Sequence, residues 1–287
     1  MTTIALFGAG GKMGIRLTRS IKDDGEYRLH YVEPSVDGQS RLSELGVAVT
    51  AADEAAGAAD VVILAVPDTL IARVAEQIID RVRPGAMVMT LDPAAAHAGR
   101  LPERRDVSYF VTHPTHPPLY DLLAEESPEA RRDYWGGGVA KQALVCALHS
   151  GPDEDYDKGA AIAARIFRPV SRVHRVTVEQ MALLEPAMSE SVTLTCISVL
   201  RQTLDEVIRR GVPAQAARDF MLGHIQIELA ILFDALDWQV SAGAKQALVE
   251  ATPVLFRSDW KKVLEPEEIM KSVRRISENA AGNPSAS

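Results

Sequence analysis

One stretch constrains this chain more than any other: Met1-Thr-Thr-Ile-Ala-Leu-Phe-Gly-Ala-Gly-Gly-Lys-Met-Gly14. A short apolar run, Ile4 to Phe7, feeds into a glycine-rich turn, and a helix-like pattern of Ile15, Leu17 and Ile21 follows. Strand, tight turn and helix N-terminus in that order make an anion site. The backbone N–H groups and the helix dipole both face an incoming phosphate. In this reading Gly8 ends the strand, Gly10 and Gly11 admit a pyrophosphate, and Gly14 permits close helix–strand packing. Lys12 and Met13 complete the turn. The motif carries one residue more before its last glycine than the common G-x-G-x-x-G.

The second half of a dinucleotide fingerprint is also present. Arg28-Leu-His-Tyr-Val-Glu33 reads as a second strand ending in an acid, 19 residues beyond Gly14. An acid there accepts from both adenosine ribose hydroxyls and repels a 2′-phosphate, which favours NAD over NADP. The competing reading of Glu33 is an exposed strand-end charge. A third run, Asp60-Val-Val-Ile-Leu-Ala-Val-Pro-Asp68, suits a parallel strand buried on both faces. Its end puts Pro67 and Asp68 at the carboxyl edge of the sheet, where ligands sit in open α/β folds.

Strand-like segments at Thr3–Phe7, Arg28–Val32, Ala48–Thr50, Val61–Val66, Met87–Leu91, Val107–Val111, Ala143–Leu148 and Val170–Arg175 alternate with helical patterns such as Leu70–Val82 and Tyr156–Phe167. Such alternation predicts an α/β fold, a doubly wound and mostly parallel sheet with helices on both faces. After Arg175 the pattern becomes all helical. Thr177-Val-Glu-Gln180 has the form of a capping box, and helix formers run from there to Arg210. Gly211 suits a helix end and Pro213 a first helical position. A second long helix runs from Ala214 to about Asp234, with Phe220, Met221, Ile225, Ile231 and Leu232 as its buried stripe and His224 on the same apolar face. Shorter helices follow around Ala244–Val249 and Pro266–Ile276. The expected division is a nucleotide-binding domain over 1–175, a helical domain over 176–277 and a small polar tail over 278–287 that stays disordered. Two long apolar helices bury poorly alone, so this half predicts a homodimer.

Composition narrows the function classes. A formal charge of −8 and the lack of a basic run argue against nucleic acid as a partner. Cys146 and Cys196 lie 50 residues apart in apolar surroundings, the pattern of reduced, buried thiols. No basic leader precedes the N-terminal apolar run, and no uninterrupted apolar stretch is long enough to cross a bilayer. A cytoplasmic protein with no membrane partner is expected.

Chemistry concentrates in two places. Phe110-Val-Thr-His-Pro-Thr-His-Pro-Pro118 ends an apolar strand in two histidines, each followed by a proline. The prolines hold His113 and His116 away from helix geometry at the cleft edge, which is how a base or metal ligand is preorganised. The plainer alternative has both satisfying turn backbone. In Leu183-Leu-Glu-Pro186 a carboxylate sits among apolar residues, and Pro186 removes a backbone bond and should kink the helix, aiming Glu185 off its regular face. Ser189 falls on the same side. His113 and Glu185 together suit a divalent ion with open positions for water and substrate oxygens: zinc first, magnesium or calcium next. Lys141, beyond the flexible Gly136-Gly-Gly run, offers a cation for a substrate carboxylate or is simply a surface lysine.

Taken in order, Gly8–Gly14, Ala65-Val-Pro-Asp68, Phe110–Pro118, Ala140-Lys-Gln142, Arg172–Met181 and Leu184-Glu-Pro186 resemble the D-apionate oxidoisomerase family, one of the 6-phosphogluconate dehydrogenase-like groups. The resemblance covers almost the whole chain apart from the tail. It implies a Rossmann domain followed by an all-helical dimerisation domain. It also implies NAD-dependent oxidation of a branched sugar acid with migration of a hydroxymethyl group, and a metal site that maps onto His113 and Glu185. Arg201 and Gln202 stand in the middle of the long helix, where true 6-phosphogluconate enzymes carry a catalytic lysine, which argues against oxidative decarboxylation. Another NAD dehydrogenase on this scaffold, such as one resembling prephenate dehydrogenases, and a non-catalytic NAD-binding regulator are the rival readings.

Overall fold

A computed structural model of the chain describes residues 1–120 and 127–278. The expected disordered tail lies, except for residue 278, outside the described residues. Seven strands form one sheet in the order β2-β1-β3-β4-β5-β6-β7. They are β1 (Thr2–Phe7), β2 (Tyr27–Val32), β3 (Val61–Leu64), β4 (Met87–Thr90), β5 (Ser108–Pro114), β6 (Gln142–Ser150) and β7 (Val170–Arg175). All neighbours pair in parallel except β5 with β6. The segment expected as a strand at Ala48–Thr50 is reduced to a single parallel bridge, Val49 to Tyr31 on β2. That bridge lies on the outer side of β2, so the order of a doubly wound dinucleotide-binding sheet is kept with one strand shortened to a contact.

The strands read as continuous apolar runs because both sheet faces are covered. Val61, Val62, Ile63 and Leu64 of β3 are all fully buried. On one face α1 (Lys12–Ile21) and α6 (Asp155–Ile166) place Leu17, Ile21, Ile162 and Ile166 against Ile4, Leu6, Ile63 and Phe110. On the other, α3 (Ala52–Ala58) and α4 (Asp68–Ile78) place Ala55, Ile71 and Ile78 against Ala5, Val62 and Val88. The chain reverses direction across the sheet between β1 and β3, and the carboxyl ends of these two strands open the crevice that such folds use for ligands. Two further short helices complete this part, α2 (Val36–Glu44) and α5 (Ala94–His97).

The capping box forms as the sequence suggests: Thr177 Oγ1 accepts from Gln180 N at 3.2 Å and Gln180 Oε1 accepts from Thr177 N at 2.9 Å. Helix α7 (Val178–Ala182) packs Val178 and Met181 against Val111 and Ala147 of the sheet. For that reason one compact unit runs to Glu185 and takes in the segment from Met270, whereas the sequence suggested a boundary at 175. The second unit is Pro186–Ile269. Pro186 does not produce a simple kink. Leu183–Leu194 winds as a π-helix before α8 (Thr195–Arg209) resumes α geometry. A proline without an N–H removes one i→i−4 bond, and the wider register accommodates the loss. The hydroxyls of Ser191 and Thr193 donate to the carbonyls five residues back, at Pro186 and Met188.

The second unit carries α9 (Ala214–Leu232) and α10 (Ala242–Leu255), and α11 (Pro266–Glu278) ends the described chain. Gly211 takes φ +101° after α8, as its helix-end role requires, while Pro213 is the residue before α9 rather than its first. The α9 stripe is not buried as expected. Phe220 and Leu232 are 68% and 65% exposed, and the buried residues of that helix are Ala217 and Ala230. His224 is likewise exposed and stacks on Phe220 with ring centroids 4.0 Å apart. The membrane expectation needs a correction of the same kind: the continuous helix Val178–Arg209 is, by length and composition alone, long and apolar enough to span a bilayer. Its charged residues interrupt the apolar run in sequence without interrupting the helix.

Candidate active site

The crevice is built first by β1 and α1. Gly8 adopts φ +73°, its N–H donates to Val32 O at 2.9 Å, and Gly11 N closes the turn on Gly8 O at 3.0 Å. A side chain on Gly14 would strike the Gly8 carbonyl, so the helix can approach the strand only with glycine there. Gly11 is the N-cap of α1 and supplies no side chain to its first turn, which leaves the amides opening the helix to a ligand. Gly10 has a second duty that sequence reasoning missed. A Cβ at this position would meet the backbone of Gly38 in α2, so two glycines let the loop and helix cross.

Glu33 stands just past the end of β2, where the fingerprint puts it. Its Oε2 accepts from Gly10 N at 2.9 Å and its Oε1 from Ser35 N and Oγ at 2.9 and 2.7 Å. The carboxylate is therefore fixed beside the glycine turn rather than free at a strand end. Arg41 completes the corner by donating Nε to Gly10 O at 2.9 Å. Across the crevice Pro67 precedes α4 and Asp68 opens it. Asp68 is exposed, yet the protein around its carboxyl raises it above the usual carboxylate range.

The two histidines come next. His113 lies near the end of β5, paired with Val145 of β6, and its Nδ1 is 2.9 Å from Leu91 O just beyond β4. His116 Nδ1 is 3.0 Å from Trp135 O. A carbonyl can only accept, so in each ring Nδ1 carries a hydrogen, and in the neutral ring the lone pair is on Nε2. Both imidazoles are thereby set as bases or ligands through Nε2, in the manner of metal-binding histidines. Burial holds His113 below its ordinary range, a shift opposed by the Leu91 contact and reinforced by nearby His116, and so disfavours its charged form. His116 has φ +60°, a left-handed conformation that costs a non-glycine residue about 1–3 kcal/mol and persists only where surroundings enforce it.

What enforces it is a loop that sequence reasoning took to be flexible. Asp133 accepts from the N–H groups of Gly136, Gly138 and Ala140 at 3.0, 3.0 and 3.1 Å, so the glycine run is a closed turn. The turn presents Trp135 to three residues: Lys12 Nζ lies 4.1 Å from the ring centroid, Arg16 Nη1 donates to the carbonyl at 2.9 Å, and His116 is the third. The sequence signal for this hub is a tryptophan preceding three glycines.

The remaining candidates divide. Glu185 lies half-buried at the third position of the π-helix, and Ser189 on the same turn is exposed. Lys141 is exposed and among the described residues has no hydrogen bond or ion pair; the buried residue there is Gln142, whose Nε2 donates to Phe167 O at 2.7 Å. Among the described residues no three His, Cys, Asp or Glu side chains converge as a metal centre. Cys146 is buried and its thiol pushed up to about 11, so it is inert, while Cys196 is half-buried rather than buried as expected.

A glycine turn at the reversal point of a doubly wound sheet, faced by two oriented imidazoles, puts the molecule in the class of dinucleotide-binding oxidoreductases. Comparison with known proteins agrees. Residues 3–92 match the family described as NADP oxidoreductase, coenzyme F420-dependent, and residues 124–277 match phosphogluconate dehydrogenase (decarboxylating), C-terminal. D-apionate oxidoisomerases of Cupriavidus necator and Rhizobium rhizogenes are 50% and 49% identical, covering 95% and 96% of this chain and 98% and 100% of their own lengths. A semialdehyde dehydrogenase NAD-binding protein from Cupriavidus necator, solved in complex with calcium and NAD, superposes with a TM-score of 0.93 at 49% identity, covering 96% of this chain and 99% of that one. The chain belongs to the D-apionate oxidoisomerase family.

Buried imidazoles have a consequence for stability. Burial lowers His97 as it lowers His113, with Glu179 partly opposing it at His97. A group with a lower pKa folded than unfolded binds fewer protons when folded, so stability is complete above the unfolded value near 6.5 and declines below it. The urea midpoint is accordingly expected to be lower at about pH 5.5 than at about pH 7.5. A flat or inverted dependence contradicts this.

Proposed function

We propose that the protein oxidises D-apionate with NAD and moves a hydroxymethyl group to give 3-oxo-isoapionate. The observation that carries this reading is the pair of imidazoles whose Nδ1 atoms are tied to main-chain carbonyls, at the carboxyl edge of a dinucleotide-binding sheet. The relatives' names supply the substrate.

The residues present fit a dinucleotide. The uncapped first turn of α1 and Lys12 suit the pyrophosphate, and the Glu33 carboxylate suits the adenosine ribose and opposes a 2′-phosphate. When bound, NAD supplies the hydride acceptor. His116 Nε2 takes the proton of the C2 hydroxyl as the hydride leaves the same carbon. The product is a 2-keto acid with a 3-hydroxyl. In the second step the C3–CH2OH bond breaks as a new bond forms to C2, the 3-hydroxyl gives up its proton and the C2 oxygen gains one. No electrons leave the molecule, and the proton His116 has taken can be returned to the C2 oxygen.

A metal also fits, as a site the protein only half completes. His113 offers an imidazole whose charged form burial disfavours and whose other nitrogen is tied to a carbonyl, and Glu185 offers a carboxylate on a π-turn, a feature frequent at functional sites. With no third protein ligand of these types among the described residues, substrate oxygens would complete the shell. One imidazole and one carboxylate suit zinc; the calcium in the Cupriavidus structure favours a hard ion with magnesium as the other option. Such an ion supplies Lewis acidity to the ketone. Lys141 remains a cation for the substrate carboxylate.

The partner is a second copy of the chain. Phe220, Phe233 and Val254 are 68%, 71% and 82% exposed, and a cleft of about 530 Å³ opens among Leu204, Val207, Phe220, Met221 and Ile225. A face of this size and apolarity asks for cover, which favours a homodimer through the helical unit over a bilayer. Sedimentation velocity should give about twice the 31.1 kDa chain mass at micromolar concentration, and a monomer there overturns the dimer.

Turnover is tested with D-apionate and NAD, following NADH and identifying the product. Wild type should form 3-oxo-isoapionate. Glu185→Gln should lose turnover by about 100-fold or more while NADH affinity stays within about threefold. Unchanged activity in that variant overturns the metal assignment, and NADH formation only with other acids overturns the substrate.

A further inference from the structure

The Asp133–Ala140 turn touches both halves of the crevice, and nothing in the chemistry above uses it. Its shape is over-determined. Asp133 gathers three backbone N–H groups, Gly136 and Gly137 take φ +80° and +89°, and a Cβ on either would meet the Arg16 side chain. A turn fixed on one side by a carboxylate and on the other by a buried arginine holds Trp135 against α1 and the His-Pro turn. The Trp135 carbonyl accepts from Arg16 Nη1 at 2.9 Å and from His116 Nδ1 at 3.0 Å, so one oxygen joins α1 to the His-Pro turn. The indole lies 4.9 Å from the His116 ring at 34°, and Lys12 Nζ sits 4.1 Å from its centroid. Lys12 opens the helix whose amides face the pyrophosphate.

We infer that Trp135 is a positioning residue. It holds His116 in its left-handed conformation and in the tautomer that leaves Nε2 basic, and it anchors that arrangement to the coenzyme turn through Lys12 and Arg16. The ring does the holding. A free imidazole favours hydrogen on Nε2, and the tautomer with hydrogen on Nδ1 is kept only while the carbonyl stays in line with the ring that stacks on it. The cation over the indole fixes the other side of the same ring. The inference rests on the reading of His116 as the base.

Trp135→Leu and Trp135→Phe test it, since Trp135 is 38% exposed and its replacement leaves the sheet core untouched. The first readout needs no substrate: nitrogen-15 NMR of histidine-labelled protein. Wild type should show His116 with hydrogen on Nδ1, Trp135→Leu should shift it toward hydrogen on Nε2, and Trp135→Phe should retain the wild-type form. The second readout is kinetic. With D-apionate, Trp135→Leu should lower kcat by about tenfold or more with NADH affinity within about threefold, and Trp135→Phe should recover most of the loss. An unchanged tautomer or kcat in Trp135→Leu overturns the inference. So does an equal loss in both variants, or failure of both to fold, because the residue is then structural. If wild type does not turn over D-apionate, the substrate reading falls while the tautomer comparison still decides the role of Trp135.

Discussion

The contact between β1 and α1 governs the rest of the site. With no side chain at residue 14, the helix closes onto the carbonyl of Gly8, and its first amides come to the sheet edge where β1 and β3 part. Any larger residue lifts the helix and moves those amides away. The same closeness fixes what stands around them. Glu33 reaches Gly10 N, Arg41 reaches Gly10 O, and Lys12 and Arg16 fall one turn apart on the side that meets Trp135. Geometry at one glycine thus sets the positions of the charges that a dinucleotide meets.

The half of the crevice that carries chemistry depends on a different device, proline and a captured carbonyl. In the run His113-Pro-Thr-His116-Pro, backbone freedom is small, and each imidazole spends its Nδ1 hydrogen on a main-chain oxygen. The result is two rings with Nδ1 committed and Nε2 left to act, at a sheet edge where a hydride acceptor belongs. Burial disfavours the charged form of His113, against the opposing contact with the Leu91 carbonyl.

Much of this was legible in the sequence. Buried parallel strands read plainly because period and composition are both extreme, as in Val61–Leu64, and seven of the eight expected strands formed. Ala48–Thr50 survived only as a bridge, since a three-residue edge segment has too few pairing groups. The capping box at Thr177 was local chemistry and formed as read. The misses were tertiary. Pro186 announced a disturbed helix, but whether the strain appears as a kink or a π-turn depends on how the following residues rebond. The glycine run at 136–138 suggested flexibility because Asp133 could not be seen to cap it. The stripe on α9 had the right period, yet Phe220 and Leu232 stay exposed and Met221, Ile225 and Ile231 only half-buried among the described residues. Gly38 gave no sign of its role, because a crossing of a loop and a helix leaves no periodic trace.

Calorimetric titration of the coenzyme-free protein with NADH and with NADPH tests the central claim most directly. With the Glu33 carboxylate fixed beside the glycine turn, NADH should bind at least about tenfold more tightly than NADPH. Equal or tighter binding of NADPH, or no binding of either, contradicts the placement of a dinucleotide against the first turn of α1.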